Sequence, residues 1–132
     1  MISLDDSSLA KRGLSVLVRQ GGGIIAIVKK LEKEFSDAPS KDRIAMERWM
    51  QFWCDGRSLT PERFKMNVKR DKARGIRIDE FKAYQLRVYG YSVTVGDKKI
   101  FIVTATDIKK KEKANPSVLE KAAKIAASVD LG

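Results

Sequence analysis

The sequence predicts an α+β fold: a small antiparallel sheet of three to four strands, with N-terminal helices packed on one face and a C-terminal helix closing the chain. Three observations predict it. Apolar residues recur at helical period through residues 40–53, alternate at strand period from Phe81 to Thr106, and return to helical period after Asn115-Pro116. At 132 residues the chain suits a single domain, 1–132. Within it, residues 1–23 read as a poorly defined extension and residues 24–132 as the core.

The first third carries a mixed signal. Leu14, Val16 and Val18 alternate as a strand would, yet Leu14, Leu17 and Val18 also fit a helical turn, and the period leaves both readings open. Gly21-Gly22-Gly23 reads as a hinge rather than a phosphate loop, because no Gly-Lys-Ser/Thr follows and the GxGxxG spacing is absent. The stretch IIAIVKKLEKEF is read as a helix, since Ile24, Val28, Leu31 and Phe35 follow the 3.6-residue period.

Ser40 is placed as the cap of a second helix running through Trp53 and ended by Gly56. Met46, Trp49, Met50 and Trp53 share one face of it; base stacking is open to such residues, but their helical spacing assigns them to the core. Thr60-Pro61-Glu62 signals a short basic helix to about Arg70.

From Phe81 an antiparallel meander is expected. Tyr84, Leu86 and Val88 alternate with Gln85, Arg87 and Tyr89; Tyr91, Val93 and Val95 follow, and Ile100 to Thr106 is rich in β-branched residues. Gly90 is expected to mark a bulge that switches the parity. Leu86, Val88, Tyr91, Val93 and Val95 would then share a buried face, and Arg87, Tyr89, Ser92 and Thr94 the other. Asn115 and Pro116 open the final helix, lined by Val118, Ala122, Ile125, Ala126 and Val129.

Charge narrows the function. Lys and Arg number 27 against 17 Asp and Glu, and there is no histidine, so the net charge of +10 does not titrate near neutrality. Residues 57–113 hold 16 basic and 7 acidic side chains, whereas residues 1–56 hold 9 and 8. That polarity suits an electrostatic footprint for phosphate, against the plainer alternative of a solvated face. With Cys54 as the lone cysteine no intramolecular disulfide can form, and neither a metal nor another cofactor is expected. The N-terminus, MISLDDSSLAKRG, sets two acids before any apolar run, and the Ile24–Val28 stretch is too short to span a bilayer. A cytoplasmic protein with no membrane partner is expected.

The segments IRIDEFKAYQLRVYGYSV and KKIFIVTATDIKKKEKANPSVLEKAAKIA give the pattern a family cast. Leu86-Arg87, the Ile100–Thr106 strand, Lys109-Lys110, Pro116 and Ala122-Ala123 stand in an order that resembles the RelE/HigB-type toxin superfamily, including its phage-derived relatives. The resemblance covers residues 60–130, reaches residues 24–56 only as helices at the expected place, and leaves residues 1–23 unaccounted for. It implies a RelE-like fold and the toxin of a type II toxin–antitoxin pair: a ribosome-associated endoribonuclease that cleaves mRNA, inhibits translation and is neutralised by a small antitoxin. The superfamily also holds relatives that bind DNA gyrase and inactive members, so a non-catalytic nucleic-acid- or ribosome-binding module on the same fold stays open, as does a phage-derived partner-binding protein.

Cleaving RNA through its own 2′-hydroxyl needs a base, charge neutralisation at the phosphorane and an acid for the leaving 5′-oxygen, and no metal. Without histidine the work falls to arginine, lysine and tyrosine. Arg87 matches the family's strand arginine and would clamp phosphate through its planar fork; the alternative is a structural arginine paired with Asp79 or Glu80. Tyr89, on the same face, would relay a proton or stack on a base, and Tyr91 would stack, unless both are packing residues. Lys109 and Lys110 complete the catalytic set, one of them as a base with a lowered pKa. Lys111 and Lys113, with Arg70, Lys72, Arg74 and Arg77, are expected to contact the nucleic-acid backbone without bond chemistry.

Overall fold

The computed structural model describes residues 3–108 and 115–131. It is an α+β fold whose sheet is larger than expected: six strands, mixed in direction. The elements are α1 (Asp6–Lys11), β1 (Leu14–Gln20), β2 (Gly23–Val28), a 3-10 turn (Lys29–Leu31), α2 (Glu32–Ser36), α3 (Ser40–Cys54), β3 (Phe64–Asp71), β4 (Ile76–Ala83), β5 (Leu86–Val95), β6 (Lys98–Ile108) and α4 (Pro116–Ser128). The sheet order is β1-β2-β6-β5-β4-β3, with every neighbouring pair antiparallel except β2 and β6. The antiparallel meander expected from Phe81 onward runs through β4, β5 and β6, and β3 extends it by one strand.

Both faces of the sheet are covered. Helix α3 buries Met46, Met50 and Cys54 against Ile25, Ile27, Phe81, Val88, Phe101 and Val103, while Trp49 and Trp53 flank that seam half-buried. Their outer ring faces carry the Arg63 guanidinium, 3.8 Å from the Trp49 centroid, and the Lys99 ammonium, 4.2 Å from that of Trp53. On the opposite face α1 supplies Leu9 to a cluster with Leu14, Ile24, Ala26, Ile100 and Ile102. Helix α4, capped by Asn115 Oδ1 accepting from the Ser117 amide at 3.0 Å, lays Ala122, Ala123 and Ala126 onto Ile78, Tyr89 and Ala105. Small alanines let this helix sit close to the sheet.

Three local expectations are corrected. The IIAIVKKLEKEF stretch is not one helix: five consecutive apolar residues form β2, buried on both faces and parallel to β6, and helix is confined to Glu32–Ser36. Two-sided burial removes the alternation that would have marked a strand. Gly23 is packed so closely against α3 that a Cβ there would stand 2.6 Å from the Cys54 Cα. Thr60-Pro61-Glu62 opens a turn, with the Arg63 and Phe64 amides both bonded to the Thr60 carbonyl, and the basic segment after it is strand β3. Pairing with β4 decides this, anchored where Phe64 lies on Phe81 at 4.6 Å between ring centroids.

The third correction concerns the bulge. It falls at the Tyr89/Gly90 step, as expected, but the extra residue belongs to β6: Tyr89 pairs with Ala105 and Gly90 with Val103, leaving Thr104 unpaired. Parity in β5 therefore never switches. Leu86 and Val88 face α3, whereas Tyr89, Tyr91, Val93 and Val95 all pack on the α1/α4 side. Residues 14–20, left open in the sequence, are an edge strand of the same sheet.

Candidate functional site

The four hairpin cations expected to contact nucleic acid stand together. Arg70, Lys72, Arg74 and Arg77 all lie on the β3–β4 hairpin, where Arg70 and Arg77 are register partners. Residues 63–77 carry seven basic side chains and one acid, Asp71. The helix-facing side of this arm is partly neutralised: Glu120 of α4 lies 3.5 Å from Lys69 and 3.7 Å from Arg74, and Arg74 also pairs with Asp71 at 2.8 Å. The other side is not. Lys65, Arg70 and Lys72 are exposed or solvent-facing and have no ion-pair partner among the described residues.

The arm is held in shape by a buried acid. Asp79 is 1% exposed; one of its oxygens accepts the Asn67 amide at 2.9 Å and receives the Arg77 Nε at 3.1 Å. Asn67 sits at φ +60, in the left-handed region, at the irregularity between Lys65 and Lys69 where β3 departs from its register with β4. Asp79 thus fixes the local backbone and one arginine together. Sequence reasoning treated Asp79 only as an optional partner for Arg87. The available signal was an acid inside the alternation Ile76, Ile78, which makes it a member of a strand.

The proposed catalytic residues lie elsewhere. Lys82, which pairs with Arg87 across β4 and β5, is five positions along β4 from Arg77, or about 17 Å at strand rise. Arg87 and Tyr89 do share a face, facing Lys82 and Glu80 respectively across the ladder. At Tyr89 that face is a second core face under α4, and not the open surface expected. Arg87 is mostly buried, and its Nη1 donates to the Tyr84 carbonyl at 2.6 Å and the Leu86 carbonyl at 3.1 Å. Its Nε lies 3.9 Å from the Glu80 carboxylate, so the structural alternative describes its contacts, with Glu80 and not Asp79 as the acid.

Tyr89 is fully buried, with its hydroxyl beside the Glu80 carboxylate but in no well-formed hydrogen bond among the described residues. Burial, and after it the negative charge of Glu80, hold this phenol far above its ordinary pKa. Buried at 0% exposure, its ring is closed to stacking on a base. Tyr91 is half-buried, with burial pushing its phenol up to about 12, and lines a groove with Arg70 and Arg77. Lys109, Lys110, Lys111 and Lys113 lie outside the described residues.

Among the described residues no cluster of three or more Cys, Asp or Glu is arranged to hold a metal ion, and no helix is long and apolar enough to cross a membrane. No protein-family model, curated protein or solved structure matches the chain.

Proposed function

We propose that this protein binds RNA, gripping the phosphate backbone along the β3–β4 hairpin without cleaving it at that surface. The observation that carries this reading is the seven-to-one excess of basic side chains in residues 63–77, with Lys65, Arg70 and Lys72 carrying no ion-pair partner among the described residues. Unpaired surface cations release counterions when they meet phosphate, and each contributes to affinity without needing a shaped pocket. RNA is chosen over DNA because of the RelE/HigB resemblance. The test is binding of a single-stranded RNA followed by anisotropy across a salt series. A steep fall in affinity with salt supports the reading, and a flat response overturns it.

The second reading is the RelE/HigB-type toxin itself, on a RelE-like fold, acting in the cytoplasm on translated mRNA and held inactive by a small antitoxin. One observation favours it. Arg87 pairs in register with Asp107, near the end of β6, and Lys109 and Lys110 follow two and three residues later in the chain. This reading predicts growth arrest on expression and cleavage of mRNA on programmed ribosomes that is lost in Arg87→Ala when the variant is folded. Absence of both growth arrest and cleavage would leave the binding reading alone.

A further inference from the structure

The ladder between β4 and β5 stops at Asp79 and Gly90. Beyond that pair, Ile76 to Ile78 of β4 are paired only with β3, and Tyr91 to Val95 of β5 only with β6. The sheet therefore forks. Between its two arms lies a groove of about 400 Å³, walled by Arg70, Ile76 and Arg77 on one side and by Tyr91, Ser92 and Val93 on the other. Backbone groups of a strand point alternately to its two sides, so about half of those in Tyr91–Val95 are directed away from β6, and none makes a backbone hydrogen bond outside that ladder among the described residues.

Free strand edges are commonly blocked by lysine, proline or a bulge. This one is not. Tyr-Ser-Val-Thr-Val has strong strand propensity and no charge, and its ladder with β6 is regular throughout. The groove is also two-faced: Tyr91 and Val93 pack on the α1/α4 side, while Arg70 and Arg77, in register with one another, stand on the opposite side of their hairpin from Ile78. Arg70 has no ion pair among the described residues, whereas Arg77 is held by both carboxylate oxygens of Asp79, at 3.1 and 3.3 Å, so Arg70 is the cation left to meet a ligand carboxylate.

We propose that this groove takes an extended acidic peptide segment of a partner protein as an added strand along Tyr91–Val95, apolar side chains toward Tyr91 and Val93 and carboxylates toward Arg70. A nucleic acid would be drawn to the same arginine, but it offers no row of alternating main-chain donors and acceptors to meet the open edge. The proposal shares Arg70 with the RNA-binding surface but does not rest on that reading: the open edge of Tyr91–Val95 carries it, and Lys65 and Lys72 lie outside the groove.

The experiment uses the full chain and synthetic peptides of about eight residues alternating Glu and Val. Binding is followed by anisotropy, and amide hydrogen exchange reports on residues 91–95. The Glu/Val peptide is expected to bind and to slow exchange at 91–95, Arg70→Glu to weaken it by about tenfold, and the Lys/Val and fully N-methylated peptides to fail. Three results would overturn the proposal: no binding of the Glu/Val peptide, equal binding of its N-methylated form, or equal protection of residues 91–95 by an oligouridine of about ten nucleotides. A concentration-dependent dimer in sedimentation that protects 91–95 without peptide would overturn it too, assigning the edge to a second copy of the chain.

Discussion

Gly90 of β5 and Ile102 of β6 are in backbone contact, with the Ile102 carbonyl oxygen filling the place a Cβ on residue 90 would take and the Phe101 ring 2.7 Å from the same point. The bulge at Thr104 creates this approach, and with it the change of parity that brings Ala105 under α4. A carbonyl in a ladder cannot swing aside as a flexible side chain can. Gly90→Ala should therefore destabilise the fold by about 3 kcal/mol, read as a lowered urea midpoint at unchanged slope. A shift of only a few tenths would mean that the bulge relaxes freely.

Tyr89 and Arg87 should separate under mutation. Tyr89→Phe removes a buried hydroxyl that lies beside the Glu80 carboxylate without a well-formed hydrogen bond, so unfolding free energy should change by less than about 1 kcal/mol, and any RNA-directed activity should persist. Arg87→Ala leaves the Tyr84 and Leu86 carbonyls without their donor and uncovers the Glu80 carboxylate; it should cost about 2 kcal/mol. Arg87→Lys keeps the charge but not the planar fork, and should restore part of that stability. Equilibrium unfolding of the three variants checks this ordering.

Alkaline pH should expose the Cys54 thiol. Burial against Gly23 and the α3 seam pushes it up to about 11. The unfolded chain releases this proton at lower pH than the folded one, so the folded state binds more protons in that interval and stability falls as pH rises. The loss begins near the ordinary thiol value of 9.0 and levels off above about 11. The Cys54 share should be about 2 kcal/mol, read as the difference between the native chain and Cys54→Ala in urea unfolding at pH 8, 9, 10 and 11, because the raised Tyr89 and Tyr91 phenols add a loss above pH 10 that both chains share.

Salt dependence should follow the hairpin. Arg70→Ala and Lys72→Ala are each expected to lower the slope of log affinity against log salt by about 0.7 for a single strand, near-additively and with no change in folding. Lys69→Ala, whose ammonium faces Glu120 at 3.5 Å, should change the slope less. Equal effects at all three positions would show that RNA does not distinguish the two sides of the arm.

Much of the later chain is legible in the sequence, because its signals are local. Asn115-Pro116 names a helix start through one side-chain acceptor and one absent amide, and α4 begins there. The period of Met46 and Met50 likewise marks the buried face of α3. The basic residues of 57–113 could be counted, and Arg70, Lys72, Arg74 and Arg77 could be grouped, from sequence position alone.

The remainder depended on partners distant along the chain. Ile24 to Val28 read as a helix until β6 lay beside them, since a strand buried on both faces shows no alternation. Phe64 to Asp71 carry charges that suit a helix, and became a strand because Phe81 and Ile78 stand opposite Phe64 and Lys69. Alternation puts Arg87 and Tyr89 on one face but is silent on whether that face is open: it says which side chains point the same way, and the packing of α4 over Tyr89 says whether water is there. Sequence alone thus determined the order of the later elements and the location of the charge. Tertiary structure decided which faces were sealed, where the ladder forked, and which hairpin cations stand without an ion pair among the described residues.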